Sequence, residues 1–579
     1  MQVNKNSFQK GNKVNRIVNV IKIAVIIFVS IYLIGNFIPF FEGENSYLYG
    51  LTAIHFSEGK FSISNELLKE SGREEFVSGN WLKTNENEAI PRSGYGFSAI
   101  ASVFYSIGGY YGLFYAAPII AIILLVVTER TATNLFGKHV GLLALLFLAT
   151  DHLFFRNTIR LQTEGIFAVF FILGAFWLIK FFRTYDERSL LYATIVLVGS
   201  TFVRINGVIL FPVEILLIVS FFVIQHLRKY RIEQFDQNKK KKILRISAAV
   251  LIPWIIFFVF WFSFYDHFFG DPWTNYRLAN PERYNPDSHR DAKVESLIIV
   301  ETKDFENAKQ FSKYLLPYQF PAVYNKVSNN LDEELGENWL GIIPMSILLC
   351  SLFFALKTKQ YRIEILVFLA FIAGTIWFFS SVTTEERASF GVPARYMIPC
   401  FILSFMIYGH MIMKIFNSKK IAKFSFVPKI WKISIVCILS VFFIGAFYFT
   451  PPIESIKTGT FEIKNPQIFA DRYPLDLDGI STDSIILARH LDWVIDYGAI
   501  PFKLPFEMEQ KSVDLLKQSI NDGYDAFVFK EETYGREKEA LNNLVANHGF
   551  VLKEYSDTFC KIEITNEKNG LAESDKICL

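Results

Sequence analysis

Charge is scarce in this chain. Only 20% of its 579 residues are Asp, Glu, Lys or Arg, where a soluble protein carries about 25%. That shortfall argues against a soluble enzyme, and the apolar content argues against a disordered protein. Cysteine is scarcer still, five in all, which excludes a scaffold built on disulfides. A net charge of +3 is too small to argue for nucleic acid. No internal repeat and no low-complexity linker is visible. The nine His are scattered rather than paired with Cys at metal-ligand spacing, and each reads as structural.

What the sequence has in quantity is apolar length: 51% hydrophobic residues and 60 Phe. A membrane helix needs about 20 mostly apolar residues. Eleven stretches approach that length: Ile17–Ile38, Tyr110–Thr128, Val140–Leu153, Gly165–Phe182, Ser189–Val203, Val208–Ile224, Ile246–Tyr265, Leu340–Leu356, Ile363–Val382, Tyr396–Ile415 and Ile433–Phe449. The first is too long and lacks the small-residue site of a cleaved signal peptide. Gly108 and Gly109 break the apolar run before the second, placing Gly94–Gly112 partly in the interface. Eleven spans exceed what a minimal channel or a passive anchor needs.

Charge placement orients these spans, because cytoplasmic loops are rich in Lys and Arg. Lys5, Lys10, Lys13 and Arg16 precede the first span and put the N-terminus inside. Counting alternately, every inner loop is basic, the most basic carrying Arg228, Lys229, Arg231, Lys239–Lys242 and Arg245. The run Lys239–Lys242 reads as a topology determinant rather than a specific lipid site. The outer segments are long: 39–95, 266–338 and the tail. The tail Pro451–Leu579 holds 23 acidic against 14 basic residues, and an odd span count places it outside. The expected division is a membrane domain over 1–450 and an extracytoplasmic α/β domain over 451–579. In the tail, Ser484–Ala488 and Ala526–Phe529 read as buried strands and Val513–Asn521 and Arg536–Asn547 as helices. Phe550–Tyr555 and Phe559–Ile564 read as a hairpin. Cys350, Cys400 and Cys437 fall in spans as packing residues. Cys560 and Cys578 share the exterior tail, where they are either paired or two free thiols.

On this topology, acids and arginines gather at the outer mouth of the helices. Glu42 and Glu44 follow the first span. Arg156, Arg160 and Glu164 lie between the third and fourth, Arg204 ends the fifth, and Arg387 and Arg395 precede the tenth. Taken singly, most are ordinary interfacial charges or snorkelling anchors. Together they describe a place for an anionic headgroup beside a general base. Arginine grips two phosphate oxygens at once. A carboxylate can deprotonate a hydroxyl attacking a sugar carbon while cations stabilise the departing phosphate.

At these residues the chain resembles the GT-C superfamily of polytopic glycosyltransferases, nearest the protein O-mannosyltransferase and aminoarabinose-transferase branch. The segment 42-EGENSYLYGLTAIHFSEGKF-61 is similar to that family's first outer loop, with Gly43-Glu44 where it usually has Asp-Glu. The resemblance implies Glu44 as catalytic base, with Glu42 second. The segment 90-IPRSGYGFSAIASVFYSIGG-109 resembles its basic-Pro-Pro segment, with Arg92 in place of a phosphate-contacting Lys. The stretch 160-RLQTEGIFAVFFIL-173 is similar to the second acidic motif and gives Glu164 a catalytic or acceptor-positioning role. Next, 199-GSTFVRINGVILFPVEILL-217 resembles the Arg-bearing turn, supporting Arg204 as a phosphate ligand. Later, 336-GENWLGIIPMSILL-349 and 394-ARYMIPCFIL-403 look like family spans, with Arg395-Tyr396 matching an Arg-Tyr pair. A sister branch, the oligosaccharyltransferases, has a Trp-Trp-Asp-Tyr-Gly motif that 493-WVIDYG-498 resembles. There Trp493, Asp496 and Tyr497 stand on the acceptor side, or else they are core packing at a strand end; Arg160 is either a further acceptor-side residue or a snorkelling anchor.

The implied enzyme is an inverting glycosyltransferase in a prokaryotic plasma membrane. It moves a sugar from a polyprenyl- or dolichyl-phosphate donor to a hydroxyl of a protein, lipid or glycan. The alternatives are transfer to a peptide, as in oligosaccharyltransferases, and a lipid-linked glycan flippase, whose usual pseudo-symmetric repeat is not seen here. Carboxylates at a phosphate could also hold a divalent metal ion, although no ligand spacing demands one.

Overall fold

In the computed structural model, the described residues are 5–37, 44–64, 81–83, 88–91, 95–229, 237–269, 315, 333–358, 361–382, 395, 397–416, 480–481, 484–488, 500–503, 510–529, 541–542, 545, 547–556 and 559–564. They form two compact units. One comprises Met1–Phe37, Tyr115–Phe260 and Asn285–Ile463, the other Ile38–Phe114, Trp261–Tyr284 and Lys464–Leu579.

The first unit is helical. Among the described residues, six helices are long and apolar enough to cross a membrane: Asn15–Gly35, Tyr111–Phe136, Glu164–Thr184, Asn206–Ile224, Ile243–Phe268 and Ile398–Phe416. The faces they leave uncovered are apolar, as lipid requires. Ile255, Ile256, Val259 and Phe260 are each more than half exposed, which in water would be a large aggregation-prone patch. Length and exposed apolar surface together make this an integral membrane protein. Nine of the eleven expected spans each fall largely on one helix, the third is broken, and the eleventh, Ile433–Phe449, lies outside the described residues.

The third expected span needs correction. Its helix runs only over Lys138–Ala149, 12 residues, or about 18 Å. The chain breaks at Thr150, and Asp151 caps a new short helix, His152–Thr158, by accepting from the Phe154 N–H at 3.0 Å. An aspartate reading as one polar residue in an apolar run is in fact a helix start.

The helices Glu164–Thr184 and Glu187–Val203 form an antiparallel hairpin. Tyr185 turns it with a positive φ of 57°, and Asp186 caps the second helix through the Arg188 and Ser189 N–H groups. The two approach closely at Gly174, where a Cβ would stand 2.3 Å from Leu197 Cδ2. Small residues permit such contacts between membrane helices. Ile398–Phe416 and Arg362–Val382 pack against Glu164–Thr184, and Ile398–Phe416 also packs on Lys138–Ala149.

Buried polar pairs stitch this unit together. Lys22 Nζ donates to Glu129 Oε1 at 2.5 Å and to Thr133 Oγ1 at 2.8 Å. Arg183 pairs with Glu364. Glu214, fully buried, accepts from Thr194 Oγ1 at 2.6 Å and Trp254 Nε1 at 2.9 Å. Cys400 is buried as expected, whereas Cys350 is exposed on its helix.

The second unit contains the helix Glu44–Ser57 and two sheets. β1 (Ile63–Ser64), β2 (Trp81–Lys83) and β3 (Glu88–Pro91) form an antiparallel sheet with β3 central. The helix that begins at Tyr95 kinks at Gly109, whose φ of 59° and ψ of −150° favour glycine. This is the break expected from Gly108-Gly109. Ser98 Oγ donates to the Tyr49 carbonyl at 3.0 Å, and Phe97 meets Tyr49 edge-on.

The tail forms a five-stranded sheet in the order β5-β4-β6-β8-β7. Its strands are β4 (Ile485–Ala488), β5 (Ile500–Lys503), β6 (Ala526–Phe529), β7 (Phe550–Glu554) and β8 (Phe559–Ile564). β5, β4 and β6 are parallel, and β7 and β8 are the expected antiparallel hairpin. Ile485, Ile486, Leu487, Ala526, Phe527 and Val528 are all buried, the continuous apolar pattern of strands covered on both faces. Gln510–Asn521 is the expected helix. The helix expected over Arg536–Asn547 falls largely outside the described residues. Cys560 is disulfide-bonded; Cys578 lies outside the described residues.

Candidate active site

Glu164 is the first residue of its helix, where a carboxylate is favoured by the helix dipole. It is buried, with 3% of its surface exposed. A buried carboxylate needs a counter-charge, and the hairpin brings one. Because the two helices are antiparallel, the end of Glu187–Val203 returns beside the start of Glu164–Thr184. The helix stops at Arg204, which adopts an extended conformation (φ −152°, ψ 119°) before the short 3₁₀ turn Ile205–Ile209. From that break Arg204 NH1 reaches Glu164 Oε1 at 3.0 Å. Arg395, just before the helix Ile398–Phe416, brings its Nε within 3.5 Å of the same oxygen. Both arginine side chains are mostly buried, 14% and 22% exposed.

The structure therefore unites three of the residues expected at the site: Glu164, Arg204 and Arg395. Arg160 lies half-buried four residues before Glu164. Arg156 sits in the short helix His152–Thr158. Glu44 is the first residue of the helix Glu44–Ser57, in the second unit. Glu42, Arg92, Arg387, Trp493, Asp496 and Tyr497 lie outside the described residues.

Sequence reasoning missed two neighbours of Glu164. Gln162 and Thr163 are buried, and their Oε1 and Oγ1 atoms, like Glu164 Oε2, have no hydrogen-bond partner among the described residues. The available signal was a run of polar residues, 160-RLQTE-164, between apolar segments. Among the described residues, no three His, Cys, Asp or Glu side chains converge to hold a metal ion.

No protein-family model matches the sequence, and no curated protein is similar to it at the level of sequence. Solved structures are similar in three dimensions. ArnT from Cupriavidus metallidurans bound to undecaprenyl phosphate is 12% identical at TM-score 0.49, over 94% of this chain and 97% of that one. The archaeal oligosaccharyltransferase AglB from Archaeoglobus fulgidus, in complex with an inhibitory peptide and a dolichol-phosphate, is 10% identical at TM-score 0.48. That match covers 95% of this chain and 75% of AglB. The apo oligosaccharyltransferase of Archaeoglobus fulgidus is 9% identical at TM-score 0.50, again over 95% of this chain and 75% of that one. The chain has a GT-C fold.

Within this fold Glu164, Arg204 and Arg395 converge, although they are widely separated in the chain. Two arginines, Arg204 and Arg395, against the single carboxylate of Glu164 leave this cluster with an excess of positive charge. Such an assembly is suited to an anion.

Proposed function

We propose that this protein is an inverting glycosyltransferase that moves a sugar from a polyprenyl- or dolichyl-phosphate donor to an acceptor hydroxyl at the extracytoplasmic membrane surface. The observation that carries this reading is the convergence of Arg204 and Arg395 on one buried carboxylate oxygen of Glu164. The carboxylate holds two guanidinium planes in fixed positions, so their reorganisation cost is met before the donor arrives. Each guanidinium has five donors in a planar fork. A phosphate bound there sits against positive charge while its ester tail extends into lipid.

In the reaction, a carboxylate removes the proton of the acceptor hydroxyl. The new oxygen–C1 bond forms as the C1–phosphate oxygen bond breaks, and polyprenyl phosphate leaves with the bonding pair. Arg204 and Arg395 stabilise the charge that grows on the leaving phosphate. The base is assigned from the sequence: Glu44 at the head of its helix, with Glu42 as the second choice. Arg92 adds a further phosphate ligand on the same grounds, and Arg160 with Trp493, Asp496 and Tyr497 belongs to the acceptor side. The N-terminus is cytoplasmic and the tail extracytoplasmic. The disulfide at Cys560 favours that placement, since disulfides persist in oxidising compartments.

The test uses purified protein in detergent, where transport cannot be scored, with undecaprenyl-phosphoryl hexoses as donors. Release of undecaprenyl phosphate is the readout. Arg204→Gln and Arg395→Gln should each lower turnover by about 10²-fold or more, the scale of one lost transition-state donor. Turnover at the wild-type rate in both variants would overturn the reading. Glu44→Gln and Glu42→Gln, tested singly, identify the base.

A further inference from the structure

Three adjacent residues hold acceptor-capable oxygens that have no hydrogen-bond partner among the described residues. These are Gln162 Oε1, Thr163 Oγ1 and Glu164 Oε2, all buried. Their residues are 9%, 1% and 3% exposed. A buried polar atom left unsatisfied is costly, so three in succession point to a ligand that satisfies them. Local structure explains why Thr163 is available. It occupies the N-cap position of the helix Glu164–Thr184, where a threonine hydroxyl ordinarily accepts from a backbone N–H. Its backbone is instead right-handed helical (φ −76°, ψ −16°), and the side chain makes no capping bond.

The chemistry of these atoms selects a ligand. A carboxylate oxygen and an amide oxygen only accept, so they repel phosphate oxygens and call for groups that donate. A cationic donor is disfavoured by the arginines drawn to Glu164 Oε1. What remains is a neutral group rich in hydroxyls. We propose that Gln162, Thr163 and Glu164 Oε2 form the sugar-binding lip of the site. On this assignment the ring hydroxyls of the donor sugar donate to Gln162 and Glu164 and exchange a hydrogen bond with Thr163, while Arg204 and Arg395 take the phosphate. This assignment rests on the donor reading above, and it divides the labour of the site: guanidiniums for the anion, acceptor oxygens for the sugar.

The experiment compares binding of undecaprenyl phosphate with binding of undecaprenyl-phosphoryl glucose, mannose, galactose and arabinose to the full chain in nanodiscs. The readout is the ratio of the affinity for the best sugar-bearing lipid to that for the bare phosphate. Wild type should show a ratio well above one. Gln162→Leu and Thr163→Val should lower that ratio about tenfold without weakening undecaprenyl phosphate, and Thr163→Ser should keep it. If Gln162→Leu does not fold, the Thr163→Val and Thr163→Ser pair decides. A ratio unchanged in the folded variants, or no gain from any of the four sugars in wild type, overturns the sugar lip and leaves the phosphate site standing. Wild type that binds none of these lipids overturns the donor reading, and the sugar lip falls with it.

Discussion

Arg204 donates to Glu164 across 3.0 Å although 40 residues separate them in the chain. The pairing follows from the hairpin between them: two antiparallel helices of similar length must bring the end of one beside the start of the other. A carboxylate at a helix start and a guanidinium at a helix end are also the signs that the two helix dipoles favour. Arg395 joins the same oxygen from a separate helix, so the carboxylate is shared.

Sharing makes the three residues energetically inseparable. Glu164→Gln leaves two guanidiniums close together without their counter-charge. Removing one partner of a fully buried pair costs about 3–5 kcal/mol, and the partial exposure of both arginines brings the expectation here to about 2–3 kcal/mol. Arg204→Met should destabilise by a similar route. The double variant should lose less than the sum of the two, with a coupling of about 1 kcal/mol or more. Reversible unfolding in detergent measures the cycle; strict additivity would mean that the pair contributes nothing.

Much of this was readable in the sequence because charge inside an apolar context is rare. Glu164, Arg204 and Arg395 stand out for that reason. Gln162 and Thr163 do not, since uncharged polar residues near a span end are ordinary, and only their burial makes them unusual. Lys22, Glu129 and Glu214 each look like an isolated charge in the sequence until the distant partner is known. In the tail, β4 and β6 are continuous apolar runs and were legible. β5, 500-IPFK-503, was not: it is an edge strand carrying a proline and a lysine, the residues that edges tolerate. The sheet of β1, β2 and β3 has strands too short for any periodicity to show.

The hairpin that positions Glu164 depends on Gly174. A Cβ there would lie 2.3 Å from Leu197 Cδ2 and 2.8 Å from Cγ. Gly174→Ala should therefore destabilise by about 1–3 kcal/mol, the usual cost of overpacking. Leu197→Ala opens the space, so Gly174→Ala should be nearly neutral in that background. Melting temperatures of the four proteins check this, and equal losses from Gly174→Ala in both backgrounds would refute the contact.

Glu214 joins three helices through Thr194 and Trp254. Glu214→Leu removes both acceptors. Thr194 can fall back on the Leu190 carbonyl, 3.2 Å away, whereas the Trp254 N–H loses its acceptor within a buried site. A loss of about 1–3 kcal/mol is expected, with Glu214→Gln milder because one acceptor oxygen remains. Thermal unfolding of the two variants ranks them, and a Glu214→Leu protein as stable as wild type would contradict the role.

His55, in the helix Glu44–Ser57, gives the second unit a pH dependence. Burial holds its imidazole below the ordinary 6.5; nearby Glu58 pulls it up less strongly, and Lys60 pushes it down. The unfolded chain thus binds a proton that the folded chain resists. Stability is full above about pH 6.5, falls as the pH drops below that value and levels off beneath the folded-state pKa. Unfolding midpoints at pH 5 and pH 7.5 should differ more in wild type than in His55→Gln. Equal differences in the two proteins would show that the histidine does not titrate on unfolding.

The sidedness of the chain can be checked residue by residue. Tyr555 in the tail is 43% exposed, and Lys138, at the start of a short helix on the opposite side of the expected topology, is exposed as well. In a Cys350→Ser background, Tyr555→Cys should react with a membrane-impermeant maleimide on intact cells, and Lys138→Cys only after permeabilisation. The reverse pattern would put the acidic tail in the cytoplasm, opposite to what the basic loops require. It would also move Glu164 and its arginines to the inner leaflet. A lipid-phosphate sugar presented at the outer surface could not reach them there, so this one labelling experiment bears on the chemistry as directly as on the topology.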